Sequence, residues 1–121
     1  MKTIKDYKTG LEWLSTMSEQ YMSWHSAKRY TKQKGFRLPT REELKTLGNG
    51  GQYPTVKHLK KKGFMDIKRW IWTNEEQSTT YAFYVSLDSG YSNLIDKTYN
   101  LYVACVRNMH TKYAMEGNDG D

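Results

Sequence analysis

The fold is decided by the stretch GFRLPTREEL at residues 35–44. Pro39 has a fixed φ and pushes the residue before it toward extended geometry, so a helix cannot run through this point. Thr40 is then free to act as an N-cap, and Glu43 follows at the capping-box spacing. The pattern therefore predicts an extended segment, a turn and a short capped helix that ends at Gly48.

The length and composition of the chain favour one α+β domain. A chain of 121 residues can bury about two thirds of the surface that it exposes when unfolded. Ten Tyr and four Trp dominate the aromatic residues, so the core is expected to rely on large rings with polar edges. The sequence contains no internal repeat or interdomain linker, and helical patterns precede strand patterns, which is typical of the α+β class.

Helices and strands are predicted on both sides of the opening stretch. Ser23 as an N-cap and Gly35 as the C′ residue delimit a first helix, which residues 36–39 join to the capped helix. Residues 1–8 are predicted to form a short strand or an arm, and residues 48–69 are the least determined region. Strands are predicted at 11–14, 70–73, 81–87, 91–95 and 100–108, with a hairpin turn at 88–90, and the acidic residues 109–121 are predicted to form a disordered tail.

Cys105 is the only cysteine, which excludes an internal disulfide and a multi-thiolate metal site. Alternation along the run would place it on one face with Leu101 and Val103, so we expect a buried, inert thiol. A single free cysteine agrees with a reducing compartment. No apolar run approaches the ~18 residues of a membrane span, and the first residues lack an apolar signal-peptide core, so we expect a cytoplasmic protein without a membrane partner.

The net charge of +6 is unevenly distributed. Residues 1–69 hold sixteen Lys and Arg against six Asp and Glu, whereas residues 70–113 hold three against four. The densest basic run, at residues 57–69, could face a polyanion or an acidic protein surface. The alternative is that this run is a solvated loop that only keeps the protein soluble.

Several motifs occur in an order that resembles one known family. Over about residues 6–108 the chain is similar to the family named for the C-terminal domain of the Legionella collagen-like protein. One such motif would be weak, but together and in order they are specific for the fold. The matching residues are Asp6, Thr9-Gly10-Leu11 with Trp13, Trp24 with Ala27, Arg37 to Thr40 with Glu43-Leu44, Trp72-Thr73, Ala82 to Val85, and Cys105-Val106-Arg107.

The resemblance implies a C-type-lectin-like fold, with one domain over residues 1–108 in which two short helices pack on a twisted antiparallel sheet with long loops. Many secreted members pair the cysteine of Cys-Val-Arg with one near the end of the first helix, where this chain has residues 29–32, Arg-Tyr-Thr-Lys. The missing partner fits a scaffold used inside a cell or in a particle assembled there. The Glu-Pro-Asn and Trp-Asn-Asp calcium motifs of sugar-binding lectins are also absent, so we expect no metal and no cofactor.

An enzyme is not expected. Sulfatase-modifying enzymes share a similar Arg-Leu-Pro-Thr turn, but their oxidation chemistry uses paired cysteines, and this chain has one. The three histidines, His25, His58 and His110, show no zinc spacing, and no nucleophile elbow or glycine-rich phosphate loop is present. The resembling proteins mostly bind rather than catalyse, so a non-catalytic binding module is expected.

Two classes of macromolecular partner stay open. The first is an intracellular protein, as for a small phage-encoded factor or inhibitor acting on host machinery, because residues 81–102 combine Tyr, Ser and Asn as antibody paratopes do. Tyr81 and Tyr102 are expected to lie in the core instead. The second is a polyanion, an acidic glycan or a nucleic acid, held by the basic half and by stacking on exposed rings. The candidate partner-binding residues are Lys57, Lys60, Lys61, Lys62, Lys68, Arg69, Trp70, Tyr91, Asn93 and Tyr99.

Overall fold

The computed structural model describes residues 2–109 of the chain. In this part, short helices and strands alternate with long connections, in keeping with the predicted α+β class. The elements in chain order are β1 (Thr3–Asp6), β2 (Leu11–Leu14), α1 (Trp24–Gln33), α2 (Arg41–Lys45), α3 (Val56–Lys62), β3 (Trp70–Glu76), β4 (Tyr81–Ser86), β5 (Tyr91–Asp96) and β6 (Val106–Asn108).

The strands form two antiparallel sheets, in the orders β1-β2-β6 and β3-β4-β5. In the first sheet, Trp13 of β2 lies opposite Ile4 of β1 and Val106 of β6, so the first and last strands flank β2. In the second, β4 and β5 form the predicted hairpin. The single sheet expected from the sequence is wrong, because the described strands form two separate sheets, and β3 of the second is bridged at Ile71 to Tyr102 in the segment before β6.

Two clusters of buried side chains lie on opposite sides of the segment at residues 101–106. Leu101, Val103 and Cys105 enter one cluster. Ala104 and Val106 enter the other, and Tyr102 packs against it. The predicted alternation and the burial of Cys105 are therefore confirmed. Burial raises the pKa of the Cys105 thiol to about 12, so it stays protonated at neutral pH and is a poor nucleophile.

The strand predicted at residues 100–108 is much shorter than expected. Only Val106–Asn108 pairs as a strand, and it does so with β2. Upstream, the backbone bonds in turn to separate segments: Leu101 exchanges two hydrogen bonds with Met22, and Tyr102 bonds to β3 on either side of Ile71. Alternating side chains indicated an extended chain correctly, but they carry no information on whether successive residues share one partner.

The turn at residues 35–44 has the predicted geometry. Thr40 Oγ1 accepts a hydrogen bond from the Glu43 N–H at 3.1 Å, and Glu43 Oε1 accepts one from the Thr40 N–H at 2.9 Å. This completes the capping box of α2. Upstream, Ser23 caps α1 and Gly35 follows its end at φ 81°, as predicted.

Arg37 ties this turn to the first sheet. Its guanidinium donates to both carboxylate oxygens of Glu43, at 2.8 and 2.7 Å, and to Asn108 Oδ1 of β6 at 2.6 Å. Its backbone exchanges two hydrogen bonds with Val106. Charge-assisted, bidentate bonds of this kind are stronger than neutral ones and fix the orientation of both partners.

The end of α2 differs from the prediction. The helix ends at Lys45, three residues before Gly48. Gly48 is required for another reason: a Cβ placed on it would collide with the carbonyl oxygen of Gln52 and press on the backbone at Tyr53 and Pro54. Close approach of backbone, rather than a helix stop, explains this glycine.

A third helix lies in the region that the sequence left undetermined. Thr55 and His58 form a second capping box at the start of α3, with bonds of 3.1 and 3.2 Å, and Gly63 ends it at φ 103°. Leu59 is buried beneath the helix. The expectation of two helices is therefore wrong, and the basic run at residues 57–62 is a helical face rather than a loop.

Tyr81 was expected in the core, but its side chain is 45% exposed. On the same face of β4, Val85 is buried and Phe83 is covered by the Arg41 guanidinium, 3.7 Å from the ring centre. Tyr81 stands at the start of the strand, beyond this covered part. Tyr84 on the opposite face is buried instead.

The described chain closes beside the β1–β2 turn. Met109 is buried, and its N–H donates to the carbonyl oxygen of Gly10 at 2.8 Å. The tail predicted at 109–121 therefore begins with a residue that packs on the domain. The rest of that tail, residues 110–121, lies outside the described residues.

Candidate functional site

A groove of about 370 Å³ lies where β3 begins beside the segment that precedes β6. Tyr102 N donates to Trp70 O at 3.1 Å, and Trp72 N donates to Tyr102 O at 3.1 Å. These two bonds hold the walls of the groove in a fixed register. The lining residues are Ile67, Lys68, Arg69, Trp70, Asn100, Leu101 and Tyr102.

A row of three aromatic rings continues from the groove across the second sheet. The Trp70 and Tyr84 ring centres are 5.6 Å apart, and those of Tyr84 and Tyr91 are 6.2 Å apart. Trp70 and Tyr91 are 44% and 42% exposed, and both lie opposite Ser86 in the register of the sheet. The small serine leaves the two outer rings open to solvent, while buried Tyr84 supports them from below.

The phenols of this row form a hydrogen-bonded pair. Tyr84 and Tyr91 hydroxyl oxygens are 3.2 Å apart. This hydrogen bond, with burial, raises the pKa of Tyr84 to about 12. The Tyr84 hydroxyl is therefore a neutral donor and acceptor at physiological pH, which suits hydrogen bonding to a polar group.

The cations beside the groove differ in their availability. Arg69 forms an ion pair with Asp88 in the β4–β5 turn, and its carbonyl oxygen accepts from the Leu87 N–H at 2.6 Å. The Lys68 ammonium lies over the Tyr102 ring, 5.2 Å from its centre, and forms no ion pair within residues 2–109. Lys68 is thus the cation that the groove can offer to a ligand.

A second, polar cavity of about 430 Å³ adjoins the groove at Lys68, which lines both. Its other lining residues include Glu19, Tyr30 and Asp66. Asp66 has a left-handed backbone at φ 53°. Burial, together with the negative charges that Cys105 and Glu19 would carry, raises the pKa of Tyr30. The two cavities form one surface, apolar at one end and polar at the other.

The structure brings part of the predicted site together. Lys68, Arg69 and Trp70 line the groove, while Tyr91 and Asn93 share the exposed end of the same sheet face as Trp70. Tyr99 is 59% exposed in the turn after β5, next to Asn100 of the groove wall.

The remaining predicted residues lie elsewhere. The lysines of α3 are exposed on that helix, and one of them, Lys62, lines a separate cavity with Ile4 and Tyr7. They therefore do not share the groove. The members of this second group are Lys57, Lys60, Lys61 and Lys62.

Sequence reasoning missed several residues of this surface. Tyr84 supports the aromatic row, while Glu19 and Asp66 line the polar cavity. Tyr102, expected in the core, is half-buried and forms a groove wall. The alternation in β4 signalled that Tyr84 faces the same way as Ser86, but no local pattern links residues 19 and 66 to the groove, because only the tertiary fold joins them.

The two histidines in the described part of the chain are engaged in structural contacts. His58 caps α3 and contacts Asn49 Nδ2 at 3.1 Å through Nε2, and the His25 ring lies against Trp24, 5.2 Å between centres. Within residues 2–109, no three His, Cys, Asp or Glu side chains converge into a group that could hold a metal ion. The same part of the chain contains no helix with the length and apolar character needed to cross a membrane.

The geometry defines a small α+β domain with two three-stranded antiparallel sheets and an open aromatic groove. The chain belongs to the Lcl C-terminal domain family, whose sequence model matches residues 2–107. This confirms the family suggested by the ordered motifs, and membership suggests a non-catalytic binding domain. A search of curated proteins found no match.

Proposed function

We propose that this chain is a non-catalytic binding module that recognises a protein partner through the groove and its aromatic row. The observation that carries the proposal is Trp70, a tryptophan 44% exposed at the mouth of a 370 Å³ groove and supported from behind by Tyr84. Tryptophan and tyrosine are enriched among residues that dominate binding energy at protein interfaces. A ring held by neighbours loses little conformational entropy on binding.

The absence of catalysis is part of this proposal. The side chains around the groove are aromatic, aliphatic, amide and cationic, and Lys68 faces a ring rather than a base or a nucleophile. Cys105, the residue with the most nucleophilic chemistry, is buried and protonated. Affinity, rather than bond making, is what this arrangement can provide.

The proposal extends to a C-type-lectin-like fold and to a partner inside the cell. The fold assignment rests on the family and on the pairing of the first and last strands with β2. The compartment rests on Cys105, which stands as a lone thiol where secreted members have a disulfide. A small phage-encoded inhibitor of host machinery fits these features, and an experimental structure with its partner would test both assignments.

The experiment compares two surface variants in partner capture. Tagged wild-type protein, Trp70→Ala and the triple variant Lys60→Glu/Lys61→Glu/Lys62→Glu are used on lysate of the host cell, at low salt and at about 0.5 M salt. We expect a stoichiometric protein that survives high salt with the wild type and the triple variant, and is lost with Trp70→Ala. Retention by Trp70→Ala would remove the groove from the interface.

A second candidate is binding of a polyanion, an acidic glycan or a nucleic acid, by α3. The lysines of this helix are exposed and form no ion pair within the described part of the chain. Such binding depends on neutralising phosphate or sulfate groups, so it weakens steeply with salt. A sulfated polysaccharide and single-stranded DNA are suitable probes. Binding that disappears both at 0.5 M salt and in the triple variant would favour this candidate over the groove.

A further inference from the structure

The polar cavity beside the groove has an unexpected charge. The chain carries a net charge of +6, yet this cavity is lined by two carboxylates, Glu19 and Asp66, against one ammonium, Lys68. Neither carboxylate forms an ion pair with another residue between 2 and 109. The Lys68 ammonium is directed to the Tyr102 ring of the apolar groove. The Lys34 ammonium lies 5.0 Å from the centre of the Tyr30 ring on the cavity wall, but it too forms no ion pair with either carboxylate. The polar end of the surface therefore presents two carboxylates that are not ion-paired within residues 2–109.

The loop that carries Asp66 is anchored on both sides. Met65 N donates to Ser15 O at 2.8 Å, and Lys68 N donates to Met17 Sδ at 3.2 Å. Between these two contacts Asp66 holds φ at 53°, a conformation that costs free energy for most residues but is tolerated by Asp and Asn. The backbone position of Asp66 is thus set by contacts on both sides of the loop.

The groove, at the apolar end of this surface, suits an apolar side chain rather than a charged one. Ile67, Leu101 and the rings of Trp70 and Tyr102 surround a volume that suits one large apolar side chain. Lys68 separates the two ends and lines both, so an occupant that fills the groove and continues past Lys68 reaches the carboxylates.

We propose that the two cavities form one site for a segment of a protein partner that places a large apolar side chain in the groove and a lysine or arginine beside Glu19 and Asp66. This inference rests on the proposed function and adds the chemistry of the partner. Charge complementarity carries it: a basic partner residue meets two carboxylates that form no ion pair with any residue between 2 and 109, whereas an acidic one would be repelled by them. A carbohydrate is the competing occupant of the groove.

The test uses short defined peptides and the wild-type protein labelled with 15N. The probes are acetylated and amidated Trp-(Gly)n-Lys with zero to three glycines, and the same peptides ending in Gln or Glu. We expect shifts at Lys68, Trp70 and Tyr102 with all three, and at low salt about fivefold tighter binding of the best Lys peptide than of its Glu counterpart. Glucose at the same concentration serves as the carbohydrate probe.

Two variants test whether Glu19 and Asp66 cause the preference for the Lys peptide over the Glu peptide. In Glu19→Gln/Asp66→Asn the Lys and Glu peptides should bind within about twofold of each other, and Asn retains the left-handed backbone at 66. Glu42→Gln is the matched control, because this glutamate is exposed on α2 and lines neither cavity, and it should keep the wild-type preference.

The outcomes separate the inference from the proposed function. Equal binding of the Lys, Gln and Glu peptides to the wild type overturns the charge preference and leaves recognition through the groove standing. A preference that persists in Glu19→Gln/Asp66→Asn also overturns it. Shifts caused by glucose and by no peptide up to about 5 mM overturn both, because the occupant is then a carbohydrate.

Discussion

The turn at residues 35–44 and the groove contain similar side chains but use them in opposite ways. In the turn, Arg37 donates to Glu43, Leu38 O and Asn108 Oδ1, so its hydrogen-bonding capacity is largely taken up within the fold. In the groove, the Lys68 ammonium lies over the Tyr102 ring and forms no ion pair within residues 2–109, and Trp70 leaves nearly half of its surface to solvent. One region holds the chain together, whereas the other has side chains available for a ligand.

This difference shows why the motif at residues 37–44 does not mark the proposed binding site. The motif residues of the turn are engaged by α2 and β6, and a ligand could reach them only by breaking those contacts. The groove lies outside the opening stretch and depends on long-range pairing. Three sets of substitutions test the division between scaffold and site.

The largest effect is expected at two tryptophans of β3 that point to the same face. Trp72 is fully buried, and its Nε1 donates to Met22 O at 2.8 Å, whereas Trp70 stands at the open end of the strand. Trp72→Ala should lower the free energy of unfolding by about 4 kcal/mol through the cavity that it leaves. Trp70→Ala should lower it by less than about 1 kcal/mol.

Urea unfolding followed by circular dichroism measures both changes. The control is Tyr99→Ala, an exposed aromatic outside the core clusters, which should behave like Trp70→Ala. A loss of several kcal/mol in Trp70→Ala would place this ring in the scaffold and would contradict the division of β3 into a structural and a binding end.

A smaller effect is expected when the turn loses its guanidinium. Arg37→Met removes the two bonds to Glu43 and the bond to Asn108 while keeping much of the side-chain volume. Hydrogen bonds to charged groups contribute about 1.5–3 kcal/mol, so a loss of about 2 kcal/mol is expected at neutral pH. Arg29→Met is the control, because Arg29 is exposed on α1, forms no ion pair within residues 2–109 and should change stability by less than about 0.5 kcal/mol.

Measuring the stability of Arg37→Met against pH checks why this variant loses unfolding free energy. Burial alone would raise the pKa of Glu43, but hydrogen bonds from Arg37 and from the Thr40 N–H outweigh it and lower that pKa. A lowered folded-state pKa gives stability that is present above the unfolded value of about 4.3 and is lost as the pH falls through the folded value. Wild type and Arg37→Met should therefore converge in stability toward pH 3. If the difference in unfolding free energy between wild type and Arg37→Met stays constant as the pH falls, packing rather than the charge on Glu43 is responsible for the loss of stability.

The sequence predicted local structure better than it predicted the site. Pro39, Thr40 and Glu43 lie close together in the chain, so their geometry follows from residues within one turn. Helix α3 was missed because its run of lysines hides a single buried residue, Leu59, and because its cap uses a histidine at the position where Glu or Gln is usual.

The groove depends on contacts that local patterns do not contain. Its walls come from residues 67–70 and 100–102, and the polar cavity adds residues 16–19 and 30. Lys68 and Trp70 were identified by residue type, because they lie in and directly after the basic run at residues 57–69 and such residues are enriched at interfaces. Asp66 and Glu19 were not, since only the tertiary fold brings these two carboxylates to one cavity, where neither forms an ion pair within the described residues.

The smallest effect compares the two capping boxes of the chain. Thr40→Ala removes the cap of α2 and should lower the free energy of unfolding by about 1 kcal/mol. Thr55→Ala removes the matched cap of α3, where Thr55 is exposed and the first turn has no acidic residue, so a loss of about 0.5 kcal/mol is expected. Urea unfolding at neutral pH measures both. An equal or larger loss in Thr55→Ala would mean that α3 belongs to the scaffold as fully as the Arg37 turn does, and its lysines would then be a rigid surface rather than a peripheral one.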